Sequence, residues 1–339
     1  MNNTSVGIGL TLLGGAIGSS TLMPSKYIRH WNWENMWLLY SIFAYLLFPW
    51  LNVIVTVPHV LDIYRSTDTK TLVLTALLGV AWGVGVVFYG IALDLVGLSI
   101  SSGIHLGMSV AFGSIIPLFL IDGLSVFSGA GVRILFGVGI MVAGVLLCAR
   151  AGWLRERDNP VPEGLKQHRR SMAGITIAFF GGIFSSLLNV AFTVGLPIAH
   201  RAVEFGASPV HAPNAIWALC VSCGSIPSIA YCALKLSKNR SWDIYIGTPV
   251  ARNSLFCLFM GIFFIVSTIT YGAAAETLGM LGPVIGWPIY MSALILGNNF
   301  WGWQTGEWRE ATGRPILTIL SGIALQVTAM VFLGVTSKS

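Results

Sequence analysis

Within the apolar stretch 97–120, Ser101, Ser102, His105, Ser109 and Phe112 recur at helical spacing. At 100° per residue they fall within an arc of about 100°, one face of a helix. Hydroxyls and an imidazole on one face can exchange hydrogen bonds with a neutral polyhydroxy ligand. The imidazole can also carry a proton, because histidine titrates near neutral pH. The opposite side carries Gly103, Gly107, Val110 and Ser114. Small residues four apart let another helix approach closely. A second stretch, 171–193, places Gly182, Ser185, Ser186, Asn189 and Thr193 on one face. Asn189 offers two donors and an acceptor, which suits a vicinal hydroxyl pair; the alternative is an interhelical hydrogen bond. Aromatic rings stand near both stretches: Trp82 and Tyr89, seven residues apart, and Trp287 and Tyr290, just after Gly282-Pro283 and Pro288. Such a ring can lie under the apolar face of a pyranose while its edge bonds a hydroxyl, or it can simply pack in a core. The prolines disturb the first turns and free backbone groups that need partners. Asn214, Trp217 and Gln326 are weaker candidates of the same kind.

These side chains need elements that hold them away from bulk water. Of 339 residues, 55% are hydrophobic and 9% charged, against about 25% charged in soluble domains. The solvent of much of this chain is therefore lipid, where runs of roughly 20 apolar residues span as helices. Ten spans are expected, near 5–23, 34–56, 71–93, 97–120, 129–149, 171–193, 211–235, 251–275, 281–301 and 315–335. The opening Met1-Asn2-Asn3-Thr4 lacks a positively charged leader region, so the first span is expected to be retained. His105 is the one ionisable residue well inside a span. A charge at mid-membrane costs about 2.5–3.5 kcal/mol on insertion scales, so it should face a cavity or a partner.

With the N-terminus outside, fourteen of the 19 Lys and Arg residues fall in inner loops. That bias sets the orientation and predicts both termini outside. Trp31, Trp33 and Trp37, and Trp301, Trp303 and Trp308, gather at the predicted inner face, where indoles favour the headgroup layer. A basic linker, 151–170, separates a first five-helix repeat, 1–150, from a second, 171–339. Five spans per half force the halves into opposite orientations. Tyr89-Gly90-x-Ala92-x-Asp94-x-x-Gly97 returns as Tyr271-Gly272-x-Ala274-x-Glu276-x-x-Gly279, and Gly7-Ile8 with Gly14-Gly15 returns as Gly174-Ile175 with Gly181-Gly182. Interrupted spans at matching places in two halves point to a carrier's binding site. Asp94 and Glu276 are expected to cap the helices that follow them. Glu34 is expected in the first turn of the second span.

The sequence speaks against catalysis. No nucleophile, base and orienting acid stand together, no metal-ligand spacing occurs, and no glycine loop fits a phosphate. Cys220-x-x-Cys223 has a redox or zinc spacing, but no second pair completes a site. The basic excess is a matter of membrane orientation rather than nucleic acid.

Five groups of residues carry a resemblance along nearly the whole chain. They are Trp31-x-Trp33-Glu34-x-Met36-Trp37, Trp82-Gly83-x-Gly85 with Tyr89-Gly90, Arg150-Ala151-Gly152-x-Leu154-x-Glu156-Arg157, Gly182-Ile183-Phe184-Ser185, and Glu307-Trp308 with Gly313-Arg314-Pro315. On these the chain resembles the L-rhamnose–proton symporter family of the drug/metabolite transporter superfamily. The resemblance implies an all-α integral membrane protein of ten transmembrane helices, built as two inverted five-helix repeats. It implies proton-coupled uptake of L-rhamnose or a related neutral deoxy sugar across the bacterial inner membrane, with no cofactor. At one point the chain departs: His105 stands where the resemblance implies a small or apolar residue.

The expected substrate-binding residues are thus Asn189, Ser101, Ser102, His105, Trp82, Tyr89, Trp287 and Tyr290, with His105 also the proton-coupling group. The expected partners are a small sugar, protons and the lipid bilayer, with no nucleic acid. Export or exchange of another small polar metabolite is the alternative.

Overall fold

The computed structural model describes residues 3–121, 127–158, 172–246, 249–309 and 311–336. Among them the regular structure is entirely helical. The helices are α1 (Asn3–Ser19), α2 (Trp33–Ser41), α3 (Phe48–Thr56), α4 (Val60–Ser66), α5 (Thr69–Val96), α6 (Leu98–Leu120), α7 (Gly129–Asp158), α8 (Met172–Val194), α9 (Leu196–Glu204), α10 (Asn214–Asn239), α11 (Val250–Leu278), α12 (Trp287–Gln304) and α13 (Arg314–Thr336). Nine stretches among the described residues are long and apolar enough to cross a membrane, so the chain is a multi-pass integral membrane protein. One of them, Val250–Gln304, holds both α11 and α12.

Glycine and proline chemistry explains the interruptions. α5 ends at Gly97, with φ 83°, and α11 ends at Gly279, with φ 66°. Both angles lie in the region where a Cβ is costly, and glycine is the usual residue just past a helix end. Asp94 and Glu276 sit in the last turns of α5 and α11, so they do not cap α6 and the helix after Gly279 as the sequence suggested. Gly97 itself occupies the N-cap of α6, and Asp94 pairs with Lys235 at 3.5 Å. A π-helical turn, Ile42–Leu47, joins α2 to α3 just before Pro49, and a second, Gly282–Gly286, precedes Pro288. Proline has no N–H, and the ladder widens around the missing bond.

Helix packing follows a regular plan. α1 lies against α11 and α12, and α8 lies against α5 and α6; α10 packs on α5 and on α2–α3, while α13 packs on α7. The contacts are backbone-close. A Cβ on Gly15 would strike the Tyr290 carbonyl and the Ala293 side chain; one on Gly182 would strike the His105 carbonyl and the Met108 side chain. In the first turn of α2, buried Glu34 accepts hydrogen bonds from Asn239 Nδ2 at 2.6 Å and Ser241 Oγ at 3.3 Å, tying α2 to the end of α10. Residues 151–158, placed in the linker by the sequence reading, continue α7; 159–170 lie outside the described residues.

Candidate functional site

A cavity of about 300 Å³ opens at the ends of α1, α7 and α12, within the size range of small-molecule sites. Tyr89 and Ser102 line it, from α5 and α6. Their hydroxyls share a hydrogen bond of 2.8 Å. Asn298 and Asn299 enter from α12, and Leu106, Val145 and Cys148 give it an apolar wall. Cys148 Sγ accepts from Gln326 Nε2 at 3.2 Å, a contact that ties the α7 wall to α13.

The mouth is ionic. Lys26 Nζ meets Glu307 Oε1 at 2.6 Å and Arg155 Nη1 meets Glu307 Oε2 at 3.3 Å. Lys26 also donates to Thr305 Oγ1 at 2.7 Å, and the Arg155 guanidinium lies 5.0 Å from the Trp308 ring centre. Burial resists ionisation of Glu307, but the hydrogen bond and charge of Lys26, then those of Arg155, outweigh it and hold the carboxyl below its usual range. A depressed carboxyl stabilises the fold above its unfolded pKa, and that contribution is lost as pH falls through the folded value. Glu307 is well exposed, so solvent screening limits the gain to about 1 kcal/mol or less. Glu307→Gln is expected to lower thermal stability at pH 7 and to match the native chain once the medium is acid enough to protonate Glu307. Melting curves across pH check this; a deficit unchanged in acid would refute it.

Not all the sequence candidates converge on this cavity. The His105 ring packs against Tyr89, 4.5 Å between centres, and is 6% exposed, with Nδ1 buried and unpartnered. Ser101 is fully buried and its Oγ has no partner. Trp82 stacks on Phe264 and meets Tyr45 edge-on, away from the cavity lining.

Asn189, Trp287 and Tyr290 instead join Tyr271 in a packed cluster. Asn189 Nδ2 donates to the carbonyls of Gly113 and Pro283, each at 2.7 Å, and Oδ1 accepts from Tyr271 Oη at 2.6 Å. The reason lies in two prolines. Pro117 lies four residues after Gly113 within α6, so the Gly113 carbonyl has no helical N–H to accept from. Pro288 lies five residues after Pro283, the partner position in a π-turn, and it too lacks the N–H. One amide therefore serves two carbonyls orphaned by proline. Trp287 Nε1 donates to Ser109 O at 3.0 Å, and Tyr290 Oη shares a 2.8 Å hydrogen bond with Ser267. The rings of Tyr271, Trp287 and Tyr290 lie 4.9–5.8 Å apart and pack α11 against α12.

Asn298, Asn299, Lys26, Arg155 and Glu307 were missed as site residues. The signal was present: two adjacent amides inside an apolar span, and three charges at span ends. Trp308, expected at the headgroups, is 6% exposed beneath Arg155. Among the described residues no group of three His, Cys, Asp or Glu could hold a metal.

Comparison with known proteins adds the family. The chain is 26% identical over 341 residues to the L-rhamnose-proton symporter of Cronobacter sakazakii, covering 98% of each chain. It is 26% identical over 343 residues to that of Klebsiella pneumoniae strain 342, covering 99% of this chain and 98% of the relative. It is 25% identical over 342 residues to that of Escherichia coli O1:K1, covering 98% of each. The family profile described as L-rhamnose-proton symport protein matches residues 1–338. A chain with such helices, matched by that profile almost from end to end, belongs to the L-rhamnose-proton symport protein family, a family of carriers and not of enzymes.

Proposed function

We propose that this protein takes up L-rhamnose or a closely related neutral deoxy sugar together with protons, by alternating access across a bacterial inner membrane. The observation that carries the reading is the match to the symport family over residues 1–338, joined to a cavity whose largely apolar wall carries the hydroxyls of Tyr89 and Ser102 and the amides of Asn298 and Asn299.

The helices are assigned as ten crossings. Val250–Gln304 has 55 residues, about 80 Å as one helix, against a hydrocarbon core of about 30 Å. The reversal at Gly279 supports two crossings there. Two inverted repeats, 1–150 and 171–339 with 151–170 between them, are supported by the packing. Exchanging α1 with α8, α5 with α11 and α6 with α12 turns the contacts of α1 into those of α8. Within that exchange Tyr89 corresponds to Tyr271, and His105 to Tyr290. The resemblance to drug/metabolite transporters implies the same five-plus-five plan. The charge bias supports both termini outside, which puts the open cavity on the inner side and the Asn189 cluster on the outer side.

In this reading the inward-open cavity holds the sugar. Tyr89, Ser102, Asn298 and Asn299 supply hydrogen bonds, and Leu106, Val145 and Cys148 cover the apolar face and methyl group. Asn189, Trp287 and Tyr290 form the outer closure. Ser101 lies buried beside Ser102, and Trp82 packs against Tyr45 and Phe264. His105, packed behind Tyr89, takes the proton: loading outside is favoured by protonation and release inside by its loss. The test is pH recording around vesicles that contain the protein. Addition of L-rhamnose is expected to make the medium alkaline, and a sugar flux without any proton movement would refute symport. In His105→Ala, sugar flux is expected to persist with its proton coupling reduced; coupling equal to the native protein would remove His105 from the proton's path.

A further inference from the structure

A second hollow, of about 360 Å³, lies between α6 and α7 on the outside of the bundle. Its floor is Gly103 against Ala149, and its flanks are Ile100 and Ile104 on α6 and Leu146 on α7. Leu146 is 50% exposed, so the groove faces the surrounding membrane. At the end nearest the ionic mouth stands Arg150, exposed, with no ion pair or hydrogen bond among the described residues. Trp153 follows one turn later. The neighbouring charges are already committed: Arg157 to Asp158 at 2.9 Å, and Glu156 to the Ser99 hydroxyl at 2.6 Å.

An apolar slot that ends in an uncommitted guanidinium beside an indole has the polarity of one molecule, a phospholipid with an anionic headgroup. We infer that the α6–α7 groove binds an anionic glycerophospholipid, its phosphodiester on Arg150 and an acyl chain along Ile100, Ile104 and Leu146. The planar fork of arginine matches phosphate oxygens in pairs, basic pockets between spans recognise such headgroups, and tryptophan sits at the headgroup level. A zwitterionic lipid offers Arg150 the same phosphodiester but brings a cationic head beside it, so the anionic lipid is the preferred occupant. Gly103, Ala149 and Ser99 line both this groove and the central cavity. The lipid therefore lies against the outer side of a wall whose inner side faces the cavity.

The experiment uses the purified full chain in detergent, titrated with phosphatidylglycerol or phosphatidylcholine of the same chains, with bound lipid read by native mass spectrometry. The native protein is expected to retain phosphatidylglycerol about fivefold better, the worth of one basic group at a lipid surface. Arg150→Gln is expected to abolish that preference, while Arg309→Gln, at another basic position, keeps it. Leu146→Trp, which fills the groove, is expected to reduce retention of both lipids; Ile104→Phe fills it from the other side should the first variant misfold. Equal retention of the two lipids by the native protein, a preference that survives Arg150→Gln, one lost equally in Arg309→Gln, or retention undiminished by the groove-filling variants would each overturn the inference.

Discussion

Ser102→Trp is expected to abolish sugar binding and uptake while leaving a folded bundle. Ser102 lines the cavity and its hydroxyl bonds Tyr89. Under the helix exchange that aligns His105 with Tyr290, the position matching Ser102 is Trp287. There an indole is already accommodated, 4% exposed, packed against Gly113 and donating to Ser109 O. In that proposed exchange the two halves differ at one pair of positions by the bulk of an indole, and the small residue, Ser102, is the one that lines the cavity. A tryptophan at 102 would occupy the sugar's space. Overfilling costs about 1–3 kcal/mol even where no ligand must fit, and exclusion of the ligand should bring the loss above roughly 100-fold. Ser102→Ala removes a hydroxyl and opens space, so its loss should be near fivefold, the worth of one hydrogen bond. Equilibrium binding of L-rhamnose to both variants, with gel filtration as the check on folding, decides the matter. Native-like binding by Ser102→Trp would move the sugar site elsewhere.

Asn189→Ala is expected to loosen the opposite end. Alanine leaves the Gly113 and Pro283 carbonyls and the Tyr271 hydroxyl without the partners they have here. Interhelical hydrogen bonds in membranes average about 0.6 kcal/mol each, so three are worth roughly 2 kcal/mol. That is about a 30-fold shift in the balance between closed and open forms of this end. The readout is reaction of Ser292→Cys with a membrane-impermeant maleimide added outside, in a background without the five native cysteines. Ser292 is fully buried. Labelling should be slow with Asn189 present and many times faster in Asn189→Ala; unchanged labelling would show that Asn189 does not hold the closure.

The spans were legible because lipid leaves the backbone few choices. Expected 34–56 and observed Trp33–Thr56 agree within a residue, as do 315–335 and Arg314–Thr336. The helix end at Gly279 was legible through its likeness to Gly97, since both need a backbone angle that favours glycine. Asn189 could be recognised as important, because an amide in an apolar span must find partners. Its partners could not be read without weighing Pro117 and Pro288, which decide which carbonyls go unpaired. The cavity-lining asparagines escaped for another reason. Asn298 and Asn299 fall near the end of the expected span 281–301, beside Trp301 and Trp303, and the sequence alone does not say which side of the helix meets a cavity. Only the packing of α1, α7 and α12 places them, with Lys26 and Glu307, around one hollow.

The central claim is a sugar site that opens on the basic side of the membrane. The most direct test is Leu22→Cys, at a position lining the cavity and 45% exposed, in the background without native cysteines. Impermeant maleimide should label it in inside-out vesicles and not in right-side-out ones, and saturating L-rhamnose should slow the reaction. Labelling from the outer side at rest, or labelling indifferent to L-rhamnose, would contradict the account.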